Sequence, residues 1–192
     1  MSKLSPINLC NVLFLTTVTC TTTQLSANEL DLRISDDSIH GNYAVTNKKT
    51  MFGLGYFYKD EDSSVNVINT DLHAIGQTAI ANLPTTIGIG FQGNFLKTGD
   101  FKSSAIGVGG SIRVNIPEAL GLSIETALHY APDVLSFGDS DEFRRFRLQA
   151  NYHIIENADI SLGYHYLNVG SEESNTNKTI ESGAFLGMKL KF

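Results

Sequence analysis

The chain has 192 residues, no tryptophan and only two cysteines, Cys10 and Cys20. Both cysteines lie near the start, so the rest of the chain holds neither a disulfide scaffold nor a cysteine-rich zinc site. Beyond residue 27, no apolar run reaches the roughly 20 residues that a membrane-spanning helix needs. Mean hydropathy is −0.04. Because the strands of a transmembrane barrel mix apolar and polar residues, this value excludes a helical span but not a barrel.

Positive charge is also scarce. The 14 lysines and arginines are outnumbered by 20 aspartates and glutamates, which gives a formal net charge of −6. A nucleic-acid-binding domain needs clustered positive charge, so no nucleic-acid partner is expected. Helical periodicity is nearly absent, and no Gly-x-Ser-x-Gly nucleophile motif occurs. The absences together exclude several common classes of globular enzyme and binding domain.

The first 27 residues have the pattern of a secretory signal. Lys3 supplies a small positive region, residues 9–20 form a short apolar stretch, and Leu25-Ser26-Ala27 is an acceptable cleavage site. The sequence therefore predicts a cleaved signal peptide over residues 1–27 and one domain over residues 28–192.

Period-2 alternation of apolar and polar residues recurs through that domain. Such alternation is typical of strands with one buried and one differently solvated face. The alternating segments are 29–34, 39–46, 52–59, 65–77, 87–95, 106–116, 120–130, 145–154, 160–166 and 184–192. This pattern predicts an all-β, transmembrane, antiparallel up-and-down barrel of about ten strands, with eight as the alternative if the two weak segments, 39–46 and 65–77, are not strands. The longest breaks, 131–141 and 170–178, are expected to be extracellular loops.

The final strand carries the clearest signal. The apolar residues Ala184, Leu186, Met188, Leu190 and Phe192 alternate with Phe185, Gly187, Lys189 and Lys191. An apolar alternating strand that ends on an aromatic residue resembles the terminal strand that the bacterial barrel-assembly machinery reads. Its apolar face would meet lipid and its lysines a polar lumen. The expected location is the outer membrane of a Gram-negative envelope, with outer-membrane lipid and that machinery as partners; the last strand of a soluble sandwich would alternate in the same way.

The inferred lumenal face contains a cluster of charged residues. Its members are Arg113, Glu125, Arg145, Arg147 and Lys189. Glu125 is expected to lie level with Arg147 on the adjacent strand. Because buried charges must be paired, one interpretation is a structural ion pair; the other is a selectivity ring around a narrow solute path.

The break at 131–141 contains residues that shape a loop. Pro132 fixes one φ angle, Asp133 can cap a turn through its carboxylate, and Gly138 permits a tight return. Leu135 and Phe137 are apolar although the loop is expected to face water. They either fold inward as a cap over the barrel mouth or form a binding surface.

Catalysis is the least favoured hypothesis. The candidates Ser161 and His165 are four residues apart on one strand, about 13 Å, whereas a nucleophile and its base must approach within about 3 Å. Glu181 on the next strand would be the acid. No clustered histidine is expected, so neither a metal site nor a cofactor is predicted.

One stretch carries a family resemblance. Residues 130–139, Tyr-Ala-Pro-Asp-Val-Leu-Ser-Phe-Gly-Asp, and the opening 32–41 resemble the YfaZ family of Gram-negative outer-membrane proteins. The resemblance implies an outer-membrane barrel, sometimes described as porin-like, without established catalytic residues. We therefore predict a structural barrel or a narrow porin-like channel with no identified substrate. The alternatives are a surface-loop binding module on a closed barrel and, third, a lipid-modifying enzyme.

Overall fold

The computed structural model of the chain describes residues 26–60, 64–119, 121–171 and 176–192. Nearly all of the predicted signal peptide lies outside these residues. The described residues form eleven strands and two short 3-10 turns, Pro117–Ala119 and Asp133–Leu135. The strands are β1 (Ser26–Ile34), β2 (Ser38–Asn47), β3 (Thr50–Lys59), β4 (Val65–Ile80), β5 (Leu83–Thr98), β6 (Phe101–Ile116), β7 (Leu122–Ala131), β8 (Ser136–Gly138), β9 (Ser140–Ile155), β10 (Ala158–Ser171) and β11 (Thr176–Lys191).

Ten long strands close into one antiparallel barrel. Each long strand pairs with the next one along the chain, and β1 pairs with β11 to close the ring. The prediction of about ten strands is confirmed, and the eight-strand alternative is wrong, because the weakly alternating segments form the full strands β2 and β4. Closure satisfies the backbone groups that an open sheet edge would leave unpaired. Among the described residues, no helix is long and apolar enough to cross a bilayer.

The outward face of the barrel is apolar. Large apolar side chains alternate along the strands with side chains that point into the lumen. Exposed examples are Leu54, Leu72, Phe91, Leu128, Leu148 and Leu162. In water such a surface would be costly, but against lipid hydrocarbon it is the expected exterior.

The longest connection between neighbouring long strands, residues 132–139 between β7 and β9, lies at the end opposite the two termini. At the end that holds both termini, β4 and β5 are joined by only Ala81 and Asn82, which both have positive φ. Two consecutive positive φ angles are the mark of the tight hairpin turn that matches strand twist. Short turns lie on the periplasmic side of such barrels, so we assign this end to the periplasm.

Several strands extend further at the extracellular end than the alternation predicts. β9 already begins at Ser140, β10 continues to Ser171 and β11 begins at Thr176, so the loops predicted at 131–141 and 170–178 are shorter than expected. The apolar alternation fades there, whereas backbone pairing continues. A register shift at Leu167 and Asn168 also interrupts the alternation.

Candidate functional site: a lumen closed at one end

The extracellular half of the lumen is filled by apolar side chains, which we call the apolar plug. Every long strand from β3 to β11 contributes to it near its extracellular end. The plug consists of Phe57, Val65, Val67, Leu96, Ala105, Ala131, Phe143, Leu167, Val169 and Ile180. All ten are buried, and Phe143 is only 1% exposed. The expectation of a polar lumen is therefore wrong for the plug, which is packed like the core of a soluble protein. Polar side chains such as Lys59, Ser103 and Glu181 are also buried at this end of the lumen.

The inward face of β4 shows how the plug is built. Val65 and Val67 point into the plug, and Asn69, Asp71 and His73 continue the same face toward the periplasm. The alternation is unbroken along the strand, but the inward residue type changes from apolar to polar. Whether an inward-facing residue is apolar or polar therefore depends on its position along the barrel axis as well as on the face of the strand.

The periplasmic half of the lumen contains a polar cavity of about 490 Å³. Asn28 of β1, Lys48 of the β2–β3 turn and Gln77 of β4 line its outer part. Since these residues lie at the end that holds the termini, the cavity is on the periplasmic side of the plug.

Glu125 of β7 is the centre of the charged group in this cavity. Arg113 lies directly opposite it on β6 and donates from Nε to Oε2 at 2.9 Å. Arg147 of β9 donates from Nη2 to Oε1 at 2.7 Å, and Lys189 of β11 donates from Nζ to Oε2 at 3.2 Å. The structure thus brings four of the five sequence-predicted cluster residues together. One buried carboxylate is shared by three cations, which is the arrangement of a structural ion network.

A second acid completes this network. Glu29 of β1 lies 2.9 Å from Lys189 Nζ and 3.9 Å from Arg113 Nη2. Glu29 is half-buried, whereas its neighbours on the same inward face, Asp31 and Arg33, are buried and lie 3.4 Å apart. The sequence analysis left these three residues out of the lumen. The alternation in β1 indicates their inward orientation, because the apolar residues that alternate with them point outward.

The fifth predicted residue, Arg145, does not contact Glu125. Its Nη1 lies 3.5 Å from Gln92 Oε1 and 3.5 Å from Asn94 Oδ1, and its Nη2 lies 3.3 Å from His40 Nε2. Arg145 therefore belongs to a separate polar group closer to the plug. It lies two residues before Arg147 on β9, toward the extracellular end. The alternation of apolar and polar residues predicted its inward orientation correctly. It gave no information on its position along the barrel axis.

The predicted extracellular loop partly belongs to the barrel wall. β8 pairs with β6 beyond the point where β7 leaves it, so the segment fills a gap between β6 and β9. Phe137 and Gly138 lie in this short strand, which corrects their assignment to a loop. Pro132 accepts a hydrogen bond from the Leu135 amide at 2.9 Å, and Asp133 opens the 3-10 turn.

Gly138 is required by this wall segment. Its φ is +86°, and a Cβ there would lie 2.5 Å from the Lys102 carbonyl oxygen. Leu135 packs against the apolar plug, whereas Phe137 is exposed. The geometry therefore makes Leu135 part of a cap over the plug and leaves Phe137 outside it.

The hydrolase candidates all point into the barrel. Ser161 is buried, and His165 Nε2 lies 2.6 Å from Glu181 Oε1. The Ser38 hydroxyl hydrogen-bonds Glu181 rather than the imidazole. Ser161 Oγ is buried without a hydrogen-bond partner among the described residues, so Ser161 and His165 do not form a nucleophile–base pair.

Two histidines meet inside the lumen, contrary to the expectation that none cluster. Nε2 of His73 on β4 lies 2.8 Å from Nε2 of His129 on β7. With Asp71 they form a group whose donor atoms all lie within 4.8 Å of one another. This group was not predictable from the sequence, because His129 lies 56 residues from His73 in the chain and on a strand that does not pair with β4.

The C-terminal strand lies at the β1–β11 closure. Leu186, Met188 and Phe192 are exposed on the outer face, and Phe192 exchanges two backbone hydrogen bonds with Asn28. The Phe192 ring lies 6.4 Å from that of Tyr43. The remaining outward residues of the predicted assembly signal are Ala184 and Leu190.

A closed antiparallel barrel with an apolar exterior and both termini at one end defines the class of bacterial outer-membrane β-barrels. A family model described as "YfaZ precursor" matches residues 4–192. The chain therefore belongs to the YfaZ family, as the resemblance of residues 130–139 implied, and is an outer-membrane protein. The word precursor fits the signal peptide predicted at residues 1–27.

Two comparisons give the extent of this similarity. "Outer membrane protein YfaZ" of Escherichia coli (strain K12) is 30% identical over 88 residues, which are 46% of this chain and 47% of that protein. The match therefore spans about half the length of this curated relative. A solved structure described as "Unveiling the Mechanism Behind the in-meso Crystallization of Membrane Proteins" aligns over 87% of this chain and 83% of its own, with 14% identity and a TM-score of 0.35.

Proposed function

We propose that this protein is a structural outer-membrane barrel whose lumen is closed to ions and solutes in its resting state. The apolar plug carries this proposal. An ion that enters a dry apolar layer loses its hydration without finding a partner, so such a layer acts as a barrier to conduction. Of the two roles that the sequence favours, a structural barrel and a narrow porin-like channel, this proposal is the structural barrel with a closed lumen.

The charges below the plug support the same proposal. The three cations around Glu125 point at its carboxylate instead of lining an open ring. A barrel of about ten strands has an interior that is nearly filled by side chains. Long cationic side chains paired across such an interior occupy the path that a porin would leave to water.

Planar-bilayer recording of the refolded mature barrel tests this proposal. The wild-type protein should give no stable conductance steps. The double variant Phe57→Ser/Phe143→Ser removes both large aromatic rings of the plug and should produce steps, whereas Phe137→Ser, outside the plug, should stay silent. Large, stable steps from wild-type protein would contradict a closed lumen. Silence of a correctly folded double variant would show that the plug is not the barrier.

We further infer that the barrel is not a lipid-modifying enzyme. Enzymes of that kind need their nucleophile near the lipid face, and Ser161, His165 and Glu181 all point away from it. Mass analysis of lipid A from cells with and without the protein should give identical spectra. A species present only with the protein, and lost in Ser161→Ala, would overturn this inference.

The assembly partner is inferred from the final strand. The outer face of β11 ends on exposed Phe192 at the closing seam of the barrel. Phe192→Ser should block assembly and leave periplasmic protein open to proteolysis, whereas Phe192→Tyr, which keeps the ring, should assemble. Heat-modifiable migration in gels reports folding, and a folded Phe192→Ser protein in the outer membrane would refute recognition by the assembly machinery.

A further inference from the structure

We propose that Asp71, His73 and His129 form a binding site for a first-row divalent metal ion, with Zn²⁺ as the best match, that is loaded from the periplasm. Two imidazoles and one carboxylate are a common three-ligand set for such ions. All three residues are buried, and their donor atoms lie within 4.8 Å of one another.

The two imidazoles already face each other. Their Nε2 atoms are 2.8 Å apart, with 3% of His73 and 4% of His129 exposed. Two nitrogens bound to one tetrahedral Zn²⁺ at about 2.0–2.1 Å lie about 3.3 Å apart, so the pair needs to separate by only about half an ångström. In addition, His73 Nδ1 is buried without a hydrogen-bond partner. It is one of several such buried atoms among the described residues, and a bound water or ion is a common reason for an unpaired buried atom.

Glycines on the two strands between the histidines leave room for the imidazole rings to contact each other. β5 and β6 separate β4 from β7 in the wall, and their inward residues at this level are the glycines 88, 90, 107 and 109. A Cβ on Gly109 would lie 2.9 Å from His129 Cδ2, and one on Gly90 would lie 2.7 Å from His73 Cα. Because no side chain rises from these positions, the imidazoles can meet over two intervening strands.

The carboxylate is held by a surrounding set of amides. Asn69 Nδ2 donates to Asp71 Oδ2 at 2.9 Å, and Gln92 Nε2 donates to Asp71 Oδ1 at 2.6 Å. Each oxygen keeps a further lone pair for a metal. Hydrogen bonds of this kind fix the orientation of metal-binding carboxylates. Arg145 approaches Gln92 from the other side, and its charge opposes a dication, so the affinity should be below that of a closed structural zinc site.

Access to the site is from the periplasm. All three residues line the polar cavity, and the apolar plug lies on their extracellular side. With only three protein ligands, a fourth position would face the cavity and hold water or a small ligand, as in open zinc sites. The proposal concerns this cavity and does not depend on whether the plug conducts.

Calorimetric titration with Zn²⁺ of EDTA-stripped, refolded barrel tests the site. We expect saturable binding of a single Zn²⁺ per barrel, and a loss of affinity of at least about 100-fold in His73→Gln and in His129→Gln. Gln92→Ala, which only positions Asp71, should lose about 10–100-fold. His153→Gln is the matched control, because its Nδ1 lies 2.7 Å from Asp159 Oδ1 in another histidine–carboxylate pair.

Co²⁺ gives a second readout that wild-type protein alone can supply. Binding to the proposed ligands should produce a saturable visible absorption band that Zn²⁺ displaces, and it should appear even if the histidine variants fold poorly. The absence of saturable Zn²⁺ and Co²⁺ binding by wild-type barrel overturns the proposal. Undiminished binding in folded His73→Gln and His129→Gln, or a loss confined to His153→Gln, overturns it as well.

Discussion

The two halves of the lumen are lined by the same strands but filled in different ways. The extracellular half holds the apolar plug, whereas the periplasmic half holds the ion network around Glu125 and the polar cavity. Packing density stabilises the first half, as in a soluble core. Mutual pairing stabilises the second, because each buried charge needs a partner. The same strands can therefore form an apolar plug at one end of the lumen and a polar cavity at the other.

Truncation of a side chain in the plug should strongly destabilise the barrel. Phe143→Ala should lower the free energy of unfolding by about 3–5 kcal/mol, because it leaves a cavity in a packed layer. Urea titration in lipid vesicles measures this change. Phe137→Ala, at an exposed ring outside the plug, is the control and should change little. Equal costs for the two variants would remove the distinction between plug and surface.

A similar decrease in the free energy of unfolding is expected for a substitution in the polar half, for a different reason. Glu125→Ala should cost about 3–5 kcal/mol, because three cations lose their shared partner in a buried site. The double variant Glu125→Ala/Arg147→Met should recover part of the loss, since Arg147 has no other salt bridge among the described residues, whereas Lys189 keeps Glu29. No recovery in vesicle unfolding would mean that packing, and not charge pairing, holds this half together.

The next prediction contrasts the cavity with the lipid face. Leu148→Arg should destabilise the barrel by about 2–4 kcal/mol if its level is the bilayer midplane, because the charge enters hydrocarbon. Thr46→Arg places the same charge in the cavity and should cost much less. Similar costs in the same vesicle assay would mean that the cavity is not open to water.

The smallest effect is expected at the outer rim. Val134→Ser should change stability by no more than about 0.5 kcal/mol, because this side chain is 78% exposed. Leu135→Ser, one residue along, should cost more, since Leu135 packs against the plug. If Val134→Ser instead proved strongly destabilising, the loop would have to contact the plug more extensively than Leu135 alone allows.

Much of the fold was predictable because alternation is a local property. The phase of β4, with Asn69, Asp71 and His73 inward, follows from side-chain period alone. The contact between Arg147 and Glu125 also followed, since their strands are neighbours in the wall. The depth of Arg145 did not follow, because strand phase gives no level along the barrel axis.

The sequence by itself determined most of the long strands, their phase, the apolar exterior and the alternation of the final strand. Each of these depends on residues that are adjacent in the chain or repeat with period 2. Only the tertiary structure decided that the inward apolar residues near the extracellular ends form one plug. It alone brought His73 to His129, which is 56 residues away in the chain. The physical reason is that closure and strand register set which residues share a lumen level, and neither is encoded in any single strand.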